Sequence, residues 1–265
     1  MNVAALQFDI AWENKPANFA TVRRLLETSR PARGSLVALP EMFATGFSLN
    51  PRVVAEPRGG ETEKFLAATA RDFGVYLQAG VAMLDEKGTG RNRAVVVSPA
   101  GEVVASYSKM QPFSPANEAA SYTAGEQPVS YRCGEWTVSP FVCYDVRFPE
   151  IFRMAVAEWR PELFVVIANF PDRRIHHWTR LLQARAIENQ AYVMGVNRIG
   201  LDPFYSYNGH SLIIDPQGEI IANGGESEGV TQAALDLDGL RKYREGLQFL
   251  ADMKPRPNRV RAATA

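Results

Sequence analysis

The segment "FVCYDVRFPE" (141–150) ends an apolar run on Cys143 and follows it at once with an acid, an arginine and another acid. A cysteine closing a hydrophobic strand is most often a small, inert core residue. Here the strand is followed by a turn, "YDVR", and then by Pro149, where a helix can start. The thiol therefore stands at a strand's carboxyl edge, where sites on α/β sheets gather. A free thiol with a pKa near about 8.5 is scarcely ionised at neutral pH, so nucleophilic work demands a neighbouring base, a cation or both. Two distant residues occupy matching places. Glu41 directly follows the apolar "SLVALP" (35–40), and Lys109 ends "EVVASYSK" (102–109). Taken singly, Glu41 reads as a helix-start or surface acid and Lys109 as a solvated strand end. Taken together, the three strand ends can bring a carboxylate, an ammonium and a thiol to one cleft.

The elements that must position them follow from the apolar pattern. "NVAALQFDI" (2–10) reads as a buried strand, and Asn14 with Pro16 opens a helix carrying Phe19, Val22, Leu25 and Leu26. After "SLVALP", a helix "ETEKFLAATARDFG" closes on glycine, and three consecutive strands follow in "VYLQAGVAML", "RNRAVVVSP" and "EVVASYSK". The second half repeats the alternation: strands near 136–143, the helix "PEIFRMAVAEW", the strand "ELFVVIANF", the helix "HWTRLLQARAIENQ" and the strand "AYVMGVN". A hairpin, "SLIIDPQGEIIA", then echoes the earlier "SPAGEV", which hints at two similar sheet-and-helix halves. Strands apolar on both faces need cover on both, so the fold expected is α/β, with sheets packed together and covered by helices. No linker divides the chain. One domain is expected over 1–250, with 251–265 as a basic tail that is mobile or docked on a partner.

The segments "ALPEMFATGF", "YSKMQPF" and "VCYDVRFPE" resemble the three signature segments of the nitrilase superfamily of carbon-nitrogen hydrolases, in that order and at comparable spacing. Within it, "PEMFATGFS", "LLQARAIENQAYVMGVNRIG" and "DPQGEIIA" are most similar to the omega-amidases (2-oxoglutaramate amidases) of the bacterial YafV type. The resemblance implies a four-layer αββα sandwich and a cofactor-free amidase that cleaves the terminal carboxamide of small dicarboxylic monoamides. It implies Cys143 as nucleophile, Glu41 as general base and later acid, and Lys109 as electrostatic stabiliser, with Glu118 in "NEAASYTAG" placing substrate or water. By the same likeness Asn169 and Trp178 border the pocket, Phe113 and Tyr144 supply its apolar wall, and the protein is at least a dimer. One departure stands out: relatives often carry histidine two residues after the lysine, where this chain has Gln111. For a substrate carboxylate, Arg173, Arg174 and Arg198 remain open alternatives. Asp145, Arg147 and Glu150 are expected to hold their turn by ion pairs.

Composition narrows the alternatives. The 265 residues are 46% hydrophobic, and Lys plus Arg and Asp plus Glu both total 29, so no net field favours nucleic acid or an anionic membrane. Two cysteines without C-x-x-C spacing fit a reducing cytoplasm and no zinc site. The strongest apolar run, "LFVVIANF", is too short to span a bilayer, and a soluble, unprocessed chain is expected. Two other readings stay open: a Cys-His hydrolase using His176, His177 or His210, and a passive binding protein that keeps the fold without the chemistry.

Overall fold

A computed structural model describes residues 1–254; the basic tail expected over 251–265 lies, from residue 255 on, outside the described residues. The first half runs β1 (Asn2–Gln7), α1 (Lys15–Ser29), β2 (Leu36–Ala38), α2 (Pro51–Val54), α3 (Glu61–Phe73), β3 (Tyr76–Leu84), β4 (Gly90–Val97) and β5 (Val103–Ser108). The second half runs β6 (Tyr131–Cys133), β7 (Trp136–Val142), α4 (Pro149–Trp159), β8 (Leu163–Ile167), α5 (Ile175–Asn189) and β9 (Tyr192–Val196). It continues through β10 (Ile199–Leu201), β11 (Ser206–Asn208), β12 (Leu212–Ile214), β13 (Ile220–Asn223), β14 (Gly229–Ala234) and α6 (Leu237–Gly246).

The strands form two six-stranded sheets, ordered β14-β1-β2-β3-β4-β5 and β13-β12-β9-β8-β7-β6. Each has a parallel centre: β1, β2 and β3 run parallel in one, β7, β8 and β9 in the other, and the flanking pairs are antiparallel in both. The strands thus correspond one to one between the sheets, and the "SPAG" and "DPQG" turns occupy equivalent hairpins. The echo in the sequence is a repeat of architecture.

Alternation along the strands builds the layers. On β1, Val3 and Ala5 face the second sheet, while Ala4 and Leu6 face the helices; Ala94 and Val96 on β4 divide in the same way from Val95 and Val97. Against the outer face of the first sheet lie α1 and α3 through Val22, Leu25, Leu26, Leu66 and Ala70. Against that of the second lie α4 and α5 through Ile151, Phe152, Leu182 and Ala186. The result is the four-layer αββα sandwich. Asn14 caps α1 as expected, its side chain accepting from the Ala17 N–H at 3.2 Å, and Gly74 closes α3 in the left-handed region. Among the described residues no helix is long and apolar enough to cross a membrane.

Candidate active site

The cavity of about 370 Å³ that Cys143 lines opens where β2, β5, β7 and β8 end. Glu41, Lys109, Phe113, Cys143, Tyr144 and Asn169, all singled out from sequence, line it together with Arg147, Arg174 and four further aromatic rings. Glu41 is brought in by the turn after β2. Gly80 on β3 makes that turn possible: its N–H donates to the Pro40 carbonyl and its own carbonyl accepts from Phe43. A Cβ at position 80 would run into the backbone of Glu41 and Met42.

Cys143 follows β7 with φ +48, a left-handed conformation rare for a residue with a side chain. Asp145 holds this bend. Its carboxylate accepts from the Val142 N–H at 2.9 Å, the Tyr107 hydroxyl at 2.7 Å and the Gln111 N–H at 2.9 Å. The cysteine turn is thereby fastened to β5 and to the lysine loop, and it is the backbone of Gln111 that takes part. Burial pushes the Asp145 carboxyl up to about 7, while the Val142 N–H and the Tyr107 hydroxyl pull it back. The expected ion pairs of this turn are absent among the described residues: Asp145 is held by neutral donors, Glu150 is exposed, and Arg147 faces the cavity.

Lys109 and the two glutamates form one buried cluster. Lys109 Nζ donates to Glu41 Oε1 at 2.9 Å and to Glu118 Oε2 at 2.8 Å. Asn92 on β4 ties the same two carboxylates from the other side, its Nδ2 reaching Glu41 Oε1 at 2.7 Å and Glu118 Oε1 at 2.8 Å. Glu118 also accepts from the Phe113 N–H at 2.6 Å, and Glu41 Oε2 from the Asn169 N–H at 2.9 Å. Glu118 thus lies behind Lys109 and does not line the cavity, so it meets the ammonium where the sequence suggested contact with substrate or water. Asn92 was not anticipated. It shares the inter-sheet face of β4 with Ala94 and Val96, and an amide on a face otherwise apolar is the signal that marks it.

Burial alone would lower the Lys109 pKa, but the charges of Glu118 and Glu41 outweigh it and hold the ammonium well above its usual value. Burial drives the Cys143 thiol well up, the Glu41 charge adds to this, and Lys109 only partly opposes it. Burial and the Glu41 charge thus favour the thiol, and the Lys109 charge alone does not reverse them. An ammonium has three hydrogens, two of them engaged here, so one remains for an oxyanion in the cavity. The arrangement can pass a proton from sulfur to carboxylate and stabilise a negative oxygen beside both.

Three expectations are redirected. Trp178 does not reach the cavity: it is fully buried, packs on Phe170 and donates its indole N–H to the His210 carbonyl at 2.8 Å. Arg198 is also fully buried, paired with Asp9 at 2.7 Å, and Arg173 lies outside the lining, against Tyr205. Of the three arginines considered, only Arg174 reaches the cavity. Among the described residues no histidine lines it, and none forms part of a cluster suited to a metal ion. Phe47, Phe170, Pro171, Tyr205 and Tyr207 complete the wall, the tyrosines coming from the β10–β11 hairpin, too short to announce itself in the sequence.

Comparison with known proteins agrees with this architecture. The chain is 36% identical over 249 residues to the omega-amidase YafV of Escherichia coli (strain K12), covering 92% of this chain and 93% of that one. It is 32% identical over 253 residues to the 2-oxoglutaramate amidase of Bacillus subtilis (strain 168), covering 95% and 97%. Its fold superposes with a TM-score of 0.89, at 30% identity and over 96% and 97% of the two chains, on XC1258 from Xanthomonas campestris, a CN-hydrolase superfamily protein whose crystal structure holds an arsenic adduct in the active site. The carbon-nitrogen hydrolase family model matches residues 2–245, and this chain belongs to that family, the nitrilase superfamily of amide-hydrolysing enzymes.

Proposed function

We propose that the protein is an amidase that hydrolyses the terminal carboxamide of small dicarboxylic monoamides such as 2-oxoglutaramate. The observation that carries the reading is the convergence of Glu41, Lys109 and Cys143, from three separate strand ends, on one cavity. In this reading Glu41 accepts the thiol proton as sulfur attacks the amide carbonyl, and the oxyanion is held by the third Lys109 hydrogen and the Tyr144 N–H. Glu41 returns the proton to nitrogen, the C–N bond breaks, and ammonia leaves a thioester on Cys143. Water, deprotonated by Glu41, adds to the thioester; collapse releases the acid and restores the thiol. Glu118 and Asn92 act as positioning residues for Lys109 and Glu41, while Phe113, Tyr144 and Asn169 shape the substrate's surroundings.

The similarity to omega-amidases supports a small, acidic acyl chain. The catalytic unit corresponds to residues 1–250. Two unpaired cysteines support a cytoplasmic location. The exposed Met154, Trp159 and Ile187 on α4 and α5 support a homodimer through that helix layer, which light scattering on the purified chain tests. For the activity, ammonia release is measured across 2-oxoglutaramate, succinamate, a carbamoyl amino acid and a nitrile. The expected result is turnover of 2-oxoglutaramate foremost, with a transient acyl mass on Cys143. Absence of turnover of any omega-amide would overturn the reading.

A further inference from the structure

Tyr205 and Tyr207 reach the cavity on an element that belongs to neither six-stranded sheet. Every other wall residue sits on chain that directly follows β2, β5, β7 or β8, whereas the tyrosines ride on the β10–β11 hairpin, two three-residue strands paired only with each other. Such a hairpin has little stability of its own. Nor does apolar packing cover its turn: Leu201 and Phe204 are 70% and 68% exposed.

Two charged side chains hold it instead. The guanidinium of Arg198, fully buried, lies 4.6 Å from the centre of the Tyr207 ring, and its Nε donates to the Ile199 carbonyl at 3.0 Å. One terminal nitrogen reaches the Leu201 carbonyl at 3.1 Å, the Ile10 carbonyl at 3.2 Å and Asp9 Oδ1 at 2.7 Å. Arg198 thereby fastens β10 to the chain that leaves β1, where Asp9 and Ile199 also form a bridge. Asp202 fixes the turn. Its Oδ1 accepts from the Phe204 N–H at 2.7 Å and the Tyr205 N–H at 2.8 Å, and its Oδ2 accepts from the Tyr207 hydroxyl at 2.6 Å. Neither residue lines the cavity, and among the described residues neither bonds to Glu41, Lys109 or Cys143. Loss of either clamp therefore frees the tyrosine wall and leaves the reacting groups in place.

A wall that yields admits a longer acyl chain, and a wall that does not rejects it, at about tenfold to two-hundredfold per methylene. We propose that Arg198 and Asp202 are positioning residues that make the β10–β11 hairpin a fixed wall, through which Tyr205 and Tyr207 set the longest acyl chain accepted. The assignment rests on the amidase reading above and adds to it the residues that decide chain length.

The kcat/KM is measured for succinamate, glutaramate, adipamate and pimelamate, the monoamides of the straight-chain diacids from succinic to pimelic. In the wild type each methylene beyond the glutaramate length lowers kcat/KM about tenfold or more. In Asp202→Ala and Arg198→Lys the penalty on adipamate relative to glutaramate is expected to shrink about tenfold, mostly through KM, while iodoacetamide alkylates Cys143 at the wild-type rate. Asp202→Asn, which keeps an acceptor for the N–H groups of the turn, retains more of the discrimination than Asp202→Ala, and Leu201→Ser, at an exposed side chain, retains all of it. Arg198→Lys removes a buried fork, so Asp202→Ala decides alone where that variant does not fold. A wild type indifferent to length, an unchanged length profile in Asp202→Ala, a loss uniform across the series, or the same change in Leu201→Ser overturns the proposal. If the wild type hydrolyses none of these amides, the amidase reading falls. Protection of Cys143 from iodoacetamide by succinate, glutarate, adipate and pimelate then reads the same length limit, and its relaxation in Asp202→Ala, without turnover.

Discussion

Lys109 is buried to 2% exposure between two carboxylates that are buried completely. Such a triad persists only because the one ammonium is shared by both carboxylates and neutral N–H donors satisfy the rest, and removing one partner leaves the others costly. Lys109→Met is therefore expected to abolish activity and also to destabilise the fold by about 3–5 kcal/mol, as the shift of a urea unfolding curve reports. A loss of activity with stability intact would mean that the carboxylates do not depend on the ammonium. The cysteine makes the complementary point. Because burial and Glu41 raise the Cys143 pKa, alkylation by iodoacetamide is expected to accelerate continuously from about pH 6 to about pH 9 with no neutral plateau, as the rate follows the rising thiolate fraction. Cys133, buried and pushed up to about 12, stays unmodified in the native protein, so one alkyl group per chain is the expected mass. A plateau near neutrality would show a preformed thiolate. At this scale the sequence disclosed the charged and nucleophilic groups because each follows an apolar strand directly. It concealed Asn92, whose importance lies in the two carboxylates it joins, and it concealed the orientation of Arg147, which neighbouring acids made look like a partner in an ion pair.

Between these side chains and the strands that carry them stand short turns whose geometry has little slack. Gly80 admits the Glu41 turn against β3, and its own φ is unexceptional, so the requirement is for space alone. Gly80→Ala is expected to displace the Glu41 backbone and lower kcat about a hundredfold, the cost of misplacing a reacting group by about an ångström. Substrate protection of Cys143 would change much less, because the cysteine turn lies on the other sheet. Wild-type kcat in Gly80→Ala would show that Glu41 has room to move. The long elements were legible because their apolar runs are unambiguous: α4 occupies the eleven residues read as "PEIFRMAVAEW", starting at its proline. The edge strand β14 and the hairpin strands β10 and β11 were not. Their residues are short, polar or half exposed, and only pairing with β1, or with each other, makes them strands.

At the scale of the whole molecule, the site belongs to neither half. Glu41 and Lys109 come from the end of the first sheet, Cys143 and Asn169 from the end of the second, so the distance between base and nucleophile is set by how closely the sheets pack. The residues between them include the small Ala5, Ala38 and Ala94 beside Val3 and Val96, whereas the helix-facing core of the first sheet is filled by larger leucines and phenylalanines. Adjacent residues of β4 offer a controlled comparison. Val95 faces α1 and α3, Val96 faces the second sheet, and both are fully buried. Replacing either by leucine adds one methylene to a filled space, with an expected cost of about 1–3 kcal/mol in each case. Their effects on catalysis should diverge. Val96→Leu pushes the sheets apart and draws Glu41 away from Cys143, whereas Val95→Leu shifts helices that carry none of the cavity wall. At equal loss of stability, kcat in Val96→Leu is expected to fall at least tenfold further than in Val95→Leu. Equal losses of kcat in the two variants would mean that the two halves of the site are aligned locally, through the contacts of Asn169 with Glu41 and of Asp145 with the lysine loop, and that the packing between the sheets does not set the distance.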